Sequence, residues 1–173
     1  MRDFFHTGLN TSRSNLLNIK TLVNNIRASL KGNYIVSLPV LAIGSNKDDV
    51  ANAAFDFTIN GIRYTKAAIT AGTGPGDDVI PQSKYGAVAF DIGINGTVDV
   101  IEAVANSTGY ASAALAIAAI PVPATDHARM GTVTAIKSDG DFTFGTTLLD
   151  AANTTVVYTD GETNLEAIGA AVS

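Results

Sequence analysis

The residues that could do chemistry in this chain are few and scattered. AGTGPGDD, residues 71–78, is glycine-rich and closes on Asp77 and Asp78. A phosphate-cradling loop of the Walker type ends on Gly-Lys-Ser/Thr, and no such pair follows here. A dinucleotide fingerprint would need a third glycine at position 79, which is Val79. The spacing therefore predicts a surface loop. The acidic pairs Asp48–Asp49 and Asp77–Asp78, with Asp139 and Asp141, could meet a hard cation such as Ca²⁺. EF-hand spacing is absent, because no glutamate closes the loop, and solvated turns explain these residues more simply. His6 and His127 are the only histidines, far apart and outside any HExxH or HxH spacing. There is no GxSxG elbow. Cysteine is absent, which removes thiol chemistry and disulfides. The expectation is a protein that is not an enzyme, with no catalytic residue, no cofactor and no metal.

Composition says what must carry the chain instead. Its 173 residues suit one domain with an appended arm. Apolar residues make up 46%, much of it alanine, so Val, Ile, Leu and a few Phe and Tyr must build the core. Charged residues are only 16%, below the ~25% of an average globular protein. A surface that poor in charge points to partners that cover part of it. The net charge of −5 disfavours nucleic acid. The first residues, MRDFFHTGLN, lack the apolar run of a signal peptide, and Ala113–Ile120 is too short to cross a bilayer. A soluble protein with no membrane partner is expected.

The local patterns are mainly those of strands. In FDFTINGIRY, residues 55–64, Phe55, Phe57 and Ile59 alternate with Asp56 and Thr58, the period of a half-buried strand. Asn60-Gly61 supplies the two positive-φ positions of a two-residue turn, which sets Ile59 against Ile62 and Phe57 against Tyr64. FDIGINGT at 90–97 repeats the wording. There one extra turn residue, with Gly96 as a bulge, is expected to pair Ile94 with Val98 and Ile92 with Val100. Tyr34–Ile43, broken by Pro39, reads as an edge or bulged strand. Met130–Lys137 and Phe142–Thr146 read as a third hairpin around Ser138-Asp139-Gly140, and Thr154–Thr159 as a last strand. Ala-rich Tyr110–Ala119 is helix-compatible and stopped by Pro121. The predicted fold is mainly β: a small antiparallel β-sandwich or barrel built from hairpins, with an N-terminal α-helix and one short Ala-rich helix. The predicted divisions are an arm and helix at 1–33, a β-domain at 34–160 and a small-residue tail at 161–173.

The N-terminal helix is the one element whose pattern points outward. After a capping Ser12 or Ser14, Leu16, Ile19, Val23, Ile26 and Leu30 recur at spacings of three and four, and Gly32 ends the run. That is an a/d seam lasting about two heptads. Asn18, Thr21, Asn24, Asn25 and Ser29 on the other face are poor helix formers. The helix alone would be marginal, so its seam needs a cover. Either the chain's own β-domain or further copies around a symmetry axis would serve. Those five seam residues are the candidate oligomer interface.

From Phe55 to Thr159 the order of segments resembles a family of tailed-phage virion proteins. The wording that carries the resemblance is FDFTINGIRYTKAA, then VIPQSKYGAVAFDIGINGTVDV, SAALAIAAIP, HARMGTVTAIKSDGDFTFGTT and LDAANTT. Such proteins are small β-rich modules that cement or decorate icosahedral heads, often as trimers, or serve as head-fibre parts. The resemblance implies a homotrimer bound to the major capsid protein on the capsid exterior, made in the cytoplasm of a host bacterium. It supplies no active-site residues. The alternative it leaves is a head-fibre or tail-associated module that binds a host surface glycan or protein.

Overall fold

The structure, a computed structural model, describes residues 15–21, 23, 32–72 and 74–161. Contacts divide the chain into two units, Met1–Gly32 and Asn33–Ser173. In the first, residues 15–21 and 23 are helical and form α1. The second is mainly β, and every strand pair in it is antiparallel. In chain order its elements are β1 (Tyr34–Ile35), β2 (Ala42–Ile43), β3 (Val50–Ala51), β4 (Phe55–Ile59), β5 (Ile62–Lys66), β6 (Val79–Ile80), β7 (Tyr85–Gly93), β8 (Val98–Glu102), α2 (Ala113–Ala118), β9 (His127–Lys137), β10 (Phe142–Thr143) and β11 (Thr154–Asp160).

The strands make a three-stranded sheet in the order β1-β4-β5 and a four-stranded sheet in the order β11-β9-β7-β8. Two short pairs, β2-β3 and β6-β10, complete the set. Alternation explains the layers. Ile35, Phe55, Phe57 and Ile59 of the smaller sheet share one core with Val88, Phe90, Ile92, Met130 and Val133 of the larger one. This is a small sandwich, and the described strands close no barrel. On the other face of β7, Ala87 and Ala89 meet Ala116 of α2, Ala103 and Ile120. Alanines there let α2 lie close, and Ser112 caps it by accepting from the Leu115 amide at 3.3 Å. Asn106 extends the ladder of β7 with a side chain. Its amide group accepts from Ala87 N and donates to Ala87 O, both at 3.0 Å, fully buried.

The first hairpin has the register its turn dictates: Ile59 opposite Ile62 and Phe57 opposite Tyr64. Asn60 and Gly61 have φ of 53° and 78°, the two positive values of a type I′ turn. Ile62 itself stays exposed beside the turn. The second hairpin has its extra turn residue and its bulge glycine, Gly96 at φ 76°. The register differs by two residues from the expected one: Ile92 faces Val98 and Phe90 faces Val100. Gly96 N donates to Gly93 O at 2.9 Å and Gly93 N to Thr97 O at 3.0 Å, a type I turn closed by a glycine bulge. Both registers bury the same faces, so burial does not choose between them. The turn does, because its left-handed position is the third loop residue and only 94–96 places Gly96 there.

The third hairpin also differs. β10 pairs with β6, Phe142 opposite Ile80, and β9 pairs instead with β7 and β11. Phe142 and Phe144 are buried edge to face, with ring centres 5.0 Å apart, so the chain after Asp141 turns into the core. The chain from 34 to 43 behaves as Pro39 requires: two short strands, β1 at a sheet edge, with an irregular link between them.

Candidate functional site

α1 carries the residues proposed for assembly. Leu16, Ile19 and Val23 lie in its described part and are 65, 58 and 39% exposed. Leu17, which the three-four spacing leaves off the seam, is exposed as well. Ile26 and Leu30 lie outside the described residues. Among these no helix is long and apolar enough to cross a membrane. The β-unit also presents exposed aliphatic side chains, including Leu38, Val40, Val104, Leu115, Val122 and Val157.

The acidic residues lie in turns and loops, and Asp49, Asp139 and Asp141 hold theirs with side-chain hydrogen bonds. Asp77, Asp78 and Glu102 bring one carboxylate oxygen apiece within 4.8 Å of the others. Glu102 was not singled out in the sequence, since it sits at the end of β8, 24 residues or more from its partners. Its Oε1 accepts from the backbone amides of Asp77 and Asp78 at 3.1 and 3.3 Å, so it anchors the loop by itself. Asp139 receives Lys137 Nζ and Asn153 Nδ2, and these hydrogen bonds, Lys137's first, hold its carboxyl below the usual 3.8. Asp141 accepts from Gln82 N at 3.0 Å. Asp49 is buried and takes Asn46 Nδ2 at 2.9 Å on one oxygen, and its Oδ1, against Gly44, has no partner among the described residues. Asp48 lies in the same turn, a chain-distant site from Asp139 and Asp141.

A polar cluster at one end of the larger sheet escaped sequence reading. Asp91 is 1% exposed in β7, and opposite it on β9 stands Arg129. Their contact is bidentate, Nε–Oδ1 2.9 Å and Nη2–Oδ2 3.1 Å. Arg129 also donates to Pro121 O at 2.6 Å, which ties the segment after α2 to the sheet. Across β7 from Arg129, Asp99 of β8 faces Asp91. Asp99 meets His127, whose Nε2 lies 3.0 Å from its Oδ2 while Nδ1 lies 2.8 Å from Asp126 Oδ1. Both ring nitrogens are thus engaged with carboxylates. No spacing rule could have found the cluster, because its members come from three strands and a loop.

Beside it an open groove of about 380 Å³ is lined by Asn33, Tyr34, His127, Arg129, Thr159 and Asp160, among others. The charged groups on its wall already have partners within the protein. Asp160 Oδ1 takes Leu41 N at 2.8 Å, and Asn33 accepts from Asn60 N while donating to Thr125 O. The wall is built as structure. Comparison of the chain with protein-family profiles, curated proteins and solved structures found no match.

Proposed function

We propose that this is a structural virion protein, a cement or decoration protein that stabilises a bacteriophage head through protein–protein contacts. It acts as a homotrimer on the major capsid protein, on the capsid exterior, without enzymatic activity. The observation that carries this reading is the three- and four-residue spacing of Leu16, Ile19 and Val23 along α1, a helix otherwise weak in propensity. Aliphatic side chains repeated on one helix face are stabilised only when covered, and a partner helix covers them best. Exposed aliphatics elsewhere and the low charge extend the same logic to a capsid surface. The trimer number comes from the resemblance of residues 55–159 to phage head proteins. The mechanism is area: a standard interface buries about 1,200–2,000 Å², and three per trimer add through avidity.

The test has two levels. Sedimentation of the wild type at low micromolar protein, where a weak edge contact is dissociated, should give three chains. Ile19→Asp with Ile26→Asp would place unpaired charges in the seam and should give monomers whose β-unit still folds. A monomeric wild type removes the trimer. In images of purified virions, density of this protein's mass should then stand at three-fold or quasi-three-fold axes of the head. Its appearance on a tail or fibre instead would make it the host-binding module.

A further inference from the structure

The larger sheet ends on one side at β11, and the edge chemistry of this strand is unlike that of the others. Edge strands are normally guarded against pairing by charge, proline, bulges or shortness. β1 is two residues long. β5 carries Arg63 and Lys66, and β8 carries Asp99 and Glu102. β11 reads TTVVYTD: seven residues, all in continuous register with β9, with no proline and no charge before Asp160. That one carboxylate is turned to Leu41 N.

The backbone orientation of β11 follows from its two ends. Ser138 N donates to Asn153 O at 3.0 Å, and Gly161 N donates to Met130 O at 2.6 Å. In an antiparallel ladder, residues alternate between bonding a neighbour and facing away from it. The odd-numbered residues 155, 157 and 159 therefore bond to β9, and Val156 and Tyr158 aim their N–H and C=O groups at the open edge. Thr154 N is taken by Ala151 O at 3.2 Å, so Val156 and Tyr158 are the pair available. Their side chains pack toward the core, whereas Val157 between them is 52% exposed.

We propose that this edge is a strand-addition site whose occupant is β11 of a second copy, antiparallel about a two-fold axis through Val157. Val156 then exchanges both backbone bonds with Tyr158 of the second copy, and symmetry repeats the exchange. Thr155 faces the copy's Thr159, a favourable cross-strand pair, and Val157 faces Val157 where strands approach most closely. No like charges meet. The same operation at β8 would set Asp99 and Glu102 near their own copies, and at β5 Arg63 and Lys66. Among the described edges of the two larger sheets, β11 alone is complementary to itself. The union joins two four-stranded sheets into one of eight, and it stands on the edge alone, independent of α1. Its contact area falls well short of the ~1,200 Å² of a standard interface, so the bond is weak and reversible for one pair. Copies already gathered by another contact would engage several such edges at once and hold far more tightly.

Val157→Lys tests it, because two ammonium groups would stand opposite each other while the bonds to β9 remain. Sedimentation at submillimolar protein should show the wild type as a larger species than the Val157→Lys variant. The variant should fall to three chains if the α1 seam trimerises and to one if it does not. Val157→Glu should behave the same way, and an equal mixture of the two should regain the wild-type mass. Val157→Thr, neutral and β-branched, should keep that mass throughout. A Val157→Lys protein that sediments like the wild type overturns the proposal, as does a mixture that fails to recover. A wild type that pairs only with another virion protein gives the first of those results.

Discussion

The hairpins β4–β5 and β7–β8 share a vocabulary, Phe-Asp-x-x-Ile-Asn-Gly, and put its aspartate to opposite uses. Asp56 lies on an outer face and is hooked by its neighbours within the hairpin. Thr65, directly opposite, donates to Oδ1 at 2.5 Å, and Arg63, on the diagonal, meets Oδ2. Asp91 is buried, and its partner Arg129 comes from a third strand. The difference lies in what covers the strand. The outer face of β7 is roofed by α2 and the segment through Pro121, and Arg129 donates to that roof. A local hairpin motif thus fixes where a carboxylate sits on a strand, and tertiary packing decides whether it is decoration or structure.

The comparison breaks first at the guanidinium groups. Arg129→Ala should cost roughly 3–5 kcal/mol, because it leaves the Asp91 carboxylate buried without its counter-charge. Arg63→Ala should produce a far smaller change, since water replaces the lost partner of Asp56. Urea unfolding of the two variants side by side measures both. Equal losses would mean that burial of Asp91 is not what separates the hairpins. Asp91→Asn with Arg129→Met should recover much of the loss, as a neutral pair no longer needs its charge.

The turns supply the second contrast. Gly61→Val should cost about 1–3 kcal/mol, as a β-branched residue is strongly disfavoured at positive φ. Gly96→Val should cost a similar amount, although nothing lies within 4 Å of where a Cβ would stand at Gly96. Strain and not crowding is then the cause. Gly96→Asn, which tolerates left-handed φ, should restore most of the melting temperature lost by Gly96→Val. An Asn variant as damaged as the Val variant would show that a contact, not the backbone angle, is lost.

What could be read from sequence divides along the same line. The Asn60-Gly61 register was legible to the residue, because a two-residue turn admits one pairing. Gly96 announced its bulge, but the pairing beyond it was set by the position of glycine within the loop, which parity of burial does not report. β10 looked like the partner of β9 because it followed a turn. It pairs with β6, and the same turn of the chain buries Phe142 and Phe144 in the core. The mainly β architecture and α1 were visible as periodicities and α2 as an alanine-rich run, while sandwich and barrel stayed open as alternatives. Asp91–Arg129 and Glu102 with the 77–78 loop were not, because each joins residues whose separation in sequence carries no signal. The seam on α1 was the only candidate site that periodicity could supply.

The smallest effect separates the aspartates by titration. The Asp56 carboxyl is held below its ordinary value of 3.8, by the Thr65 hydroxyl first and by Arg63 next, with slight desolvation opposing them. A folded-state value below the unfolded one favours folding once the unfolded carboxyl has ionised. The benefit is therefore complete above 3.8 and disappears as the pH drops through the lower, folded value. Asp56→Asn should melt a little below the wild type at neutral pH and at pH 5, with the gap constant between them. Below 3.8 the gap should close. Thr65→Val removes the larger cause and should weaken this acid dependence more than Arg63→Ala does. Because the Asp139 carboxyl is also held below its ordinary value, it contributes to the wild-type curve in the same window, and the series belongs in an Asp139→Asn background. A gap that stays open well below 3.8 would show that Asp56 acts through its shape and hydrogen bonds, and that its charge does nothing for the hairpin.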